Sequence, residues 1–447
     1  MGLYQVARMK DINVDPSLLA GLMERWRPET HTFHLPVGEM TITLQDVSCL
    51  WGLPIRGEPV TGLADGPWNA LVDQCLGVGA AADLMKSKKR SRPGEDPVYS
   101  ASGYAINLGR LRKRFEKMPD GPDEPTQHQV YQYTRAYIID LFGSLLFTDS
   151  SGDSVPAMYL QFLRDLDAPV QYNWGGAVLA LLYRNLCRAV TRAARMPTII
   201  WGPMVLLQHW AWSRLPCGRP RALNNWEPTW GSPDRESCPA VGEKWCCRHA
   251  YKDPHGTAGV KYFRTQLQDL REGMVDWQPY NNKFADLPLR VHQDINFFLV
   301  RVPLIHFWIV EHHYPDRVMR QFGLQQILPV PEPLPEHEVR RLHKIVHTDS
   351  HTNWSSEHER YVGEASNPDR FRVPCIGPFI SDQIESYDQW FHGHGMYTVF
   401  VGKEYLKRDH RPVSPVRDEA DEIGYIASGP KDTRNVRVVD FSYLCLR

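Results

Sequence analysis

The amino-acid sequence predicts a mainly α protein, a single large helical domain with a small N-terminal β-hairpin. Apolar side chains recur at helical spacing through most of the 447 residues, which is the pattern of amphipathic helices packed on a core. The alternation of strands and helices that marks a doubly wound sheet does not occur in the sequence. Hydrophobic residues make up 42% and charged residues 23% of the chain, a composition typical of a globular protein and not of a disordered one.

The N-terminal region carries the clearest local signals. Residues 16–26 place Leu and Trp side chains on one helical face and predict a helix. Residues 31–35 and 40–44 alternate on either side of a Pro-Val-Gly-Glu turn and predict a β-hairpin. Thr43 has the position of a helix N-cap, and Asp46, three residues on, is its capping-box partner. A short helix is therefore expected directly after the hairpin.

The remainder of the chain is predicted to be helical between loops. The expected helices cover residues 104–117, 128–148, 155–166, 174–194, 198–214, 261–273, 294–300, 302–311, 337–347, 355–364 and 381–402. A basic loop near 86–99 and a Cys-rich insert near 217–258 interrupt them. These segments predict one domain over residues 1–408, followed by a charged C-terminal tail over residues 409–447.

Charge and cysteine content exclude some classes of function. The formal net charge is −1, whereas a protein that binds nucleic acid mainly through phosphates carries a basic excess, so any such contact must come from a local patch. Nine cysteines at irregular spacing indicate free thiols in a reducing compartment more than a disulfide framework. The N-terminus has no apolar signal-peptide core, and no apolar run reaches about 18 residues. We therefore expect a soluble intracellular protein without membrane contact.

Several blocks of sequence, in order along the chain, resemble one known family. The first runs from Trp26 to Pro36 and continues from Gly38 to Val47, a second includes Trp174 to Ala180, and a later one runs from Val310 to Gly323. Spread over roughly residues 12–400, these blocks resemble the plant mobile domain. The residues of the resemblance that are expected to have structural roles are Trp26, Arg27, Pro28, Glu29, Thr30, Phe33, Gly38, Glu39, Trp174, Arg320, Gln321, Phe322 and Gly323.

The resemblance implies a protein of the nucleus that acts without chemistry of its own. Members of the family are associated with gene-expression control, transposon silencing and meristem maintenance, and the domain also occurs in transposable elements. The family label "aminotransferase-like" implies no cofactor here, because a pyridoxal-phosphate enzyme needs a Schiff-base Lys and a phosphate cup that the matching blocks do not supply. The prediction is a non-enzymatic nuclear scaffold or adaptor with no catalytic residues and no cofactor.

The resemblance also implies partners and leaves alternatives open. Some family members carry a fused phosphoprotein-phosphatase domain, which implies nuclear protein partners that include a phosphatase-like subunit. The alternative is a nucleic-acid-binding protein derived from, or encoded by, a transposable element. A residual nuclease or metal hydrolase is a third hypothesis, and it predicts tightly bound metal in the purified protein.

Two clusters suggest ligand binding. Basic side chains cluster at Lys86, Lys88, Lys89, Arg90 and Arg92. They have the composition of a nuclear-import or nucleic-acid patch, and the alternative is a solvated loop. Thiol and imidazole groups occur at Cys238, Cys246, His249 and His255. Such groups bind zinc, but their spacing is not that of a standard zinc finger, so free thiols are the alternative.

Acidic and histidine residues offer two candidate catalytic sets. The first is Glu311, His312, His313 and Asp316, and the second is Asp149, Asp153, Asp165 and Asp167. Neighbouring His residues on a helix point about 100° apart, so the first set is expected not to converge. Glu311 is instead expected to pair with Arg317 or Arg320. The second set can serve two-metal phosphoryl transfer, but turns and a helix end are the expected positions of these aspartates.

Aromatic and arginine residues of the matching blocks have two interpretations each. The aromatic residues are Trp174, Trp210, Trp212, Trp277 and Tyr280. They can stack on bases, but at helical spacing they are expected to be core. The arginines are Arg27, Arg184, Arg214 and Arg320. They can bind phosphate, but we expect them to hold carbonyl groups or buried acids.

Overall fold

The fold is built mostly of helices. The computed structural model describes residues 2–9, 14–85, 104–118, 125–149, 152–193, 199–200, 202–219, 240–245, 256–345, 353–381, 383–391 and 426–427. The α-helices within these ranges are α1 (Tyr4–Ala7), α2 (Pro16–Met23), α3 (Leu44–Trp51), α4 (Trp68–Leu76), α5 (Ala80–Leu84), α6 (Leu108–Arg114), α7 (Gln127–Leu141), α8 (Trp174–Ala193), α9 (Met204–Arg214), α10 (Gly256–Gln268), α11 (Leu289–Gln293), α12 (Glu336–Lys344), α13 (Trp354–Glu357), α14 (Glu359–Ala365) and α15 (Gln383–Trp390). The predicted mainly α class is therefore confirmed.

The strands are short and form small separate sheets. They are β1 (Trp26–Arg27), β2 (Thr32–Leu35), β3 (Gly38–Met40), β4 (Ala105–Asn107), β5 (Ser154–Pro156), β6 (Ile199–Ile200), β7 (Pro303–His306), β8 (Ile309–His312) and β9 (Ile426–Ala427). Strands β1, β2 and β3 form an antiparallel sheet in which Phe33 lies opposite Met40. The predicted N-terminal hairpin is confirmed, and β1 adds a third strand to it.

The helix after this sheet begins where the sequence predicts. The Thr43 hydroxyl accepts a hydrogen bond from the Asp46 backbone N–H, and the Asp46 carboxylate accepts one from the Thr43 backbone N–H at 2.8 Å. This reciprocal capping box satisfies two donors that the first turn of α3 leaves without a helical partner. The helix ends at Gly52, whose φ of 62° is left-handed and favours glycine. The predicted capping box is confirmed.

Helix α8 runs through the middle of the structure. Its apolar side chains from Trp174 to Val190 are buried, and it packs against the β7–β8 hairpin on one side and α3 on another. Gly175 allows the close approach to α3, because a Cβ there would lie 3.0 Å from the Val47 side chain. One contiguous cluster of buried apolar side chains extends from Leu3 to Trp354. Elements far apart in sequence therefore share one core.

Residues 302–311 do not form the predicted helix. They form the antiparallel hairpin of β7 and β8, with Phe307 at a φ of 50° in its turn. Both strands are buried on both faces, between α8 and the α12–α14 region, so the segment shows no polar alternation. A short apolar run of this kind does not distinguish a buried strand from a helix, and its β-branched and aromatic residues favour the strand.

Other predicted helices have different bounds. The segment 155–166 begins as β5, which pairs with β4, and continues as a 3₁₀ helix over Ala157–Leu163. The segment 198–214 is α-helical from Met204 onward. The segment 381–402 is helical over Gln383–Trp390, and its residues from 392 onward lie outside the described part of the chain.

No helix among the described residues has the length and hydropathy that crossing a bilayer requires. The predicted boundary between a domain at 1–408 and a tail at 409–447 falls where the structure describes only residues 426–427. That boundary stays a prediction.

Candidate functional site

Asp46 is the centre of a buried polar network that joins three parts of the chain. Its Oδ1 accepts hydrogen bonds from Arg214 Nη2 at 2.7 Å and from the Tyr280 hydroxyl at 2.7 Å. Both Arg214 and Asp46 are fully buried. Burial opposes the charged guanidinium, but Asp46 more than compensates and raises the pKa of Arg214. The ion pair therefore joins α3, α9 and the Tyr280 segment inside the core.

A second buried pair attaches the N-terminal sheet to the later part of the chain. Arg317 Nε and Nη2 donate to the two carboxylate oxygens of Glu39 at 2.8 and 2.7 Å, and the Thr32 hydroxyl donates to Glu39 Oε2 at 2.8 Å. Beside this pair, the Gln321 side-chain amide accepts from the Thr41 N–H at 2.8 Å and donates to the Thr41 carbonyl at 2.9 Å. Gln321 therefore pairs with the backbone just after β3 as another strand would.

Glu311, in β8, has three polar partners in the core. Arg184 Nε donates to its Oε1, while His31 Nε2 lies 3.1 Å and His343 Nε2 lies 3.2 Å from its carboxylate oxygens. Burial alone favours the neutral acid, but Arg184 and then His343 lower the pKa of Glu311 well below its usual value. The Glu311 carboxylate is therefore ionised, and the positive charge of Arg184 balances its negative charge inside the protein.

Metal-ligand atoms meet at one place in the described part of the chain. The ligand atoms of His31, Cys187 and His343 lie within 4.8 Å of one another. Their side chains come from the turn between β1 and β2, from α8 and from α12. Imidazole and thiolate are ligands that zinc prefers. The arrangement can hold an ion without any residue of the Cys-rich insert.

A small cavity lies next to the Glu39–Arg317 pair. Arg320 lies between the rings of Trp277 and Phe379, with its guanidinium carbon 4.1 and 4.6 Å from their centroids. Burial lowers the pKa of Arg320 to about 10. The cavity has a volume of about 20 Å³, far below the roughly 300–1,000 Å³ of sites that bind small organic ligands. It can hold a group the size of a water molecule, and a pyridoxal-phosphate cofactor does not fit in it.

The set Glu311, His312, His313 and Asp316 does not converge on one point. The reason is strand geometry and not the helix geometry expected from sequence, since successive side chains of β8 point to opposite faces. His313 Nδ1 donates to the Val300 carbonyl at 2.9 Å, and Asp316 accepts from Arg301 at 2.9 Å. Each group is thus used in its own structural contact.

The expected partner of Glu311 was wrong. Arg317 pairs with Glu39, and Arg320 donates to Glu272 at 2.8 Å. The partner of Glu311 is Arg184, on α8. Because β8 packs on α8, the nearest cation is on the central helix and not on the segment that follows β8 in sequence.

The four aspartates considered for two-metal chemistry are not gathered around a common point. Asp149 accepts from the Gly152 N–H at 2.7 Å, as a turn residue does. Asp165 accepts from the Asp167 N–H at 2.9 Å, and Asp167 accepts from the Tyr131 hydroxyl. The carbonyl of Asp153 accepts from the Leu108 N–H at 2.9 Å. The contacts of Asp149 and Asp165 are local, as expected for a turn and a helix end, whereas those of Asp153 and Asp167 reach α6 and α7.

The aromatic residues that could stack on bases are mostly enclosed. Trp174, Trp210, Trp212 and Tyr280 are buried, and Trp277 is half-buried against Arg320. A base cannot reach a ring that the core covers. Of the four arginines, Arg184 and Arg214 hold buried acids and Arg320 holds Glu272, which supports the structural interpretation.

Two predicted ligand clusters lie outside the described residues. They are Lys86, Lys88, Lys89, Arg90 and Arg92 in the basic loop, and Cys238, Cys246, His249 and His255 in the Cys-rich insert. A nuclear-import or nucleic-acid patch and a zinc site at these positions stay predictions.

The residues of the family resemblance surround the networks just described. The buried ones are Trp26, Pro28, Glu29, Thr30, Phe33, Glu39, Trp174 and Gln321, and the half-buried ones are Arg27, Arg320 and Phe322. Gly38 has a φ of 111° and lies against the Tyr387 ring, and the Gly323 carbonyl accepts from the Phe379 N–H at 2.8 Å. Their positions connect the N-terminal sheet to the segments after β8.

Sequence reasoning missed the cluster of His31, Cys187, Glu311 and His343. More than a hundred residues separate His31 from Cys187, and Cys187 from Glu311. No spacing motif therefore marks the cluster. The available signals were weak ones: His31 lies inside the first block of the resemblance, and Cys187 lies on the apolar side of α8.

A comparison with protein families settles the resemblance. A family model described as the plant mobile domain matches residues 2–392. The chain belongs to the plant mobile domain family. The match contains α1 to α15, the three-stranded sheet and all the buried ion pairs described above. No solved structure is significantly similar to this plant mobile domain.

Three relatives from Arabidopsis thaliana show how this plant mobile domain relates to longer proteins. The chain is 39% identical over 366 residues to serine/threonine-protein phosphatase 7 long form homolog, covering 81% of this chain and 25% of that protein. It is 35% identical over 329 residues to protein MAIN-LIKE 2, covering 73% of this chain and 44% of that protein. It is 32% identical over 318 residues to protein MAINTENANCE OF MERISTEMS, covering 71% of this chain and 59% of that protein. The chain thus spans less than two thirds of the length of each of these relatives.

Proposed function

We propose that this plant mobile domain is a non-enzymatic adaptor that acts in the nucleus by holding protein partners. The observation that carries the proposal is that its central carboxylates already have protein partners. Asp46, Glu39 and Glu311 each bind a buried or nearly buried arginine. A general base or nucleophile must present a lone pair to its substrate, whereas each of these carboxylates is bound to an arginine of the protein. Such an arrangement supports a rigid binding module better than a catalyst.

The relatives support the biological setting of the proposal. One is named for the maintenance of meristems, and another is named as a homolog of a protein phosphatase long form. We infer a role in gene-expression control, in meristem maintenance and in transposon silencing, with nuclear partners that include a phosphoprotein-phosphatase-like protein. The alternative, a nucleic-acid-binding protein of transposable-element origin, predicts binding that weakens steeply with salt.

One exposed surface suits a protein partner. Residues 323–325 run beside 377–379, because the Phe379 N–H donates to the Gly323 carbonyl and the Gln325 N–H donates to the Gly377 carbonyl. Leu328, Ile376 and Ile380, at the margins of these segments, are 37%, 63% and 48% exposed. We call these three residues the apolar face. Exposed apolar side chains suit a protein partner more than nucleic acid, because a phosphate backbone gains nothing from them.

A pair of variants tests whether the apolar face docks a protein. Ile376→Glu combined with Ile380→Glu places two charges on the face, and we expect capture of partner proteins from plant nuclear extract to fall at least about tenfold. Val78→Glu is the matched control, because Val78 is even more exposed but lies in the α4–α5 turn. Equal capture by all three proteins would exclude the apolar face as the docking surface, and a fluorescent fusion found outside the nucleus would contradict the location.

A further inference from the structure

We propose that His31, Cys187, Glu311 and His343 form a structural zinc site in the centre of this fold. The ligand atoms of the two histidines and the cysteine lie within 4.8 Å of one another. The Glu311 carboxylate lies 3.1 Å from His31 Nε2 and 3.2 Å from His343 Nε2. Zinc–nitrogen distances of about 2.0–2.1 Å and zinc–sulfur distances of about 2.3 Å place the ligand atoms of a tetrahedral site about 3.3–3.6 Å apart. The two histidine–carboxylate distances are close to the edge length of such a tetrahedron.

The hydrogen bonding of His31 indicates a cation at this position. Its Nδ1 lies 2.9 Å from the His312 carbonyl oxygen, which can only accept, so Nδ1 carries the proton. Within the described part of the chain, its Nε2 is buried without a hydrogen-bond partner and lies 3.1 Å from the Glu311 carboxylate. A metal ion at this point binds both groups. An Nδ1–H bonded to a backbone carbonyl is also the usual support of a metal-bound imidazole.

Cys187 has the surroundings of a metal-bound thiolate. Its side chain is fully buried on α8, and the Trp26 indole N–H donates to its Sγ at 3.3 Å. Zinc binds the thiolate form of cysteine, and the indole N–H supports the charge that remains on sulfur.

The topology of the ligands points to a structural role for the ion. Arg184 binds Glu311 Oε1, and Oε2 faces His31. Four protein ligands leave no open position for water or substrate, so the site is closed. It connects the N-terminal sheet with α8, β8 and α12. The site goes beyond the adaptor proposal, since it does not depend on which partner binds.

Zinc content and cobalt spectroscopy test the site in the full chain. The purified protein is expected to hold about one zinc ion per chain by mass spectrometry of its metals, and the cobalt-substituted protein is expected to show a thiolate-to-cobalt absorption band. Cys187→Ser should remove the band and lower zinc affinity at least about tenfold. Two controls should keep both signals: Cys49→Ser, which changes an equally buried thiol, and Cys238→Ser with Cys246→Ser, which removes thiols of the Cys-rich insert.

A second ligand variant separates the loss of zinc binding from misfolding. His343 is 21% exposed at the edge of the cluster, so His343→Ala should keep the circular dichroism of the wild type while it weakens zinc binding at least about tenfold. A wild-type protein without zinc would overturn the proposal. Zinc that persists in both Cys187→Ser and His343→Ala but disappears with Cys238→Ser and Cys246→Ser would also overturn it and place the ion in the insert.

Discussion

The Arg214–Asp46 pair shows how much a single buried side chain contributes to this fold. Arg214→Met keeps the volume of the side chain but leaves the Asp46 carboxylate in the core without its cation. We expect the free energy of unfolding to fall by about 3–5 kcal/mol, measured by urea denaturation. Arg340→Met is the matched control, because Arg340 pairs with Glu336 at the surface and its loss should change stability by about 1 kcal/mol or less. Equal losses in the two variants would contradict the buried network.

Two buried histidines make stability depend on pH. Burial lowers the pKa of His209 and of His306 to about 3. The unfolded chain binds these protons near pH 6.5, so stability is full above pH 6.5 and falls as pH drops from 6.5 toward 3. Between pH 6.5 and 4.5, the free energy of unfolding should decline by up to about 1.4 kcal/mol per pH unit for each histidine.

Denaturation at a series of pH values measures this slope. His306→Gln should reduce the dependence of the free energy of unfolding on pH by the contribution of one histidine. His128→Gln is the control, because His128 is exposed in the folded protein and its loss should leave the slope unchanged. A free energy of unfolding that is constant from pH 6.5 to 4.5 would show that the two imidazoles reach water in the native state.

The polar residues differ in how far the sequence reveals them. Thr43 and Asp46 interact three residues apart, so their capping box is visible in the sequence and is observed in the structure. Arg184 and Glu311 meet only because β8 packs on α8, and no local pattern encodes that contact. For the same reason the cluster of His31, Cys187 and His343 could not be predicted from the sequence.

At the scale of elements, long amphipathic segments were predictable and short apolar ones were not. Helix α8 was expected over 174–194 and is observed over Trp174–Ala193, because twenty residues of helical periodicity have one interpretation. Strands β7 and β8 were expected to be helical, because two buried faces remove the alternation by which a strand is recognised. Burial, which decides between the two, is a property of the fold and not of the segment.

The packing of α8 on α3 gives a prediction at this scale. A Cβ at Gly175 would lie 2.8 Å from the Ile55 side chain and 3.0 Å from the Pro54 carbonyl, closer than van der Waals contact allows. Gly175→Ala should therefore lower the midpoint of thermal unfolding, with a loss of about 1–3 kcal/mol.

Gly363 provides the matched control for this substitution. It lies in α14 with no atom within 4 Å of the position of an added Cβ. Gly363→Ala should stabilise the protein by about 0.5–1 kcal/mol, because alanine loses less backbone entropy in a helix. A shift of the same sign in both variants would mean that helix propensity, and not the contact with α3, controls the Gly175 position.

At the scale of the whole molecule, polar contacts join the N-terminal third of the chain to its C-terminal half. Glu39, Thr41 and Glu311 bind partners that lie more than a hundred residues away. The family match over residues 2–392 contains all of these contacts, which agrees with the spread of its sequence blocks along the chain. A scaffold held together in this way presents fixed surfaces, as an adaptor requires.

We propose that this plant mobile domain binds proteins and not nucleic acid. A tagged pull-down from plant nuclear extract, quantified by mass spectrometry with and without nuclease treatment, tests this proposal. We expect the main protein partners, a phosphatase-like subunit among them, to be recovered in equal amounts in both arms. Loss of every partner after nuclease treatment would contradict it and would make nucleic acid the ligand, with the basic loop at Lys86–Arg92 as the next site to change.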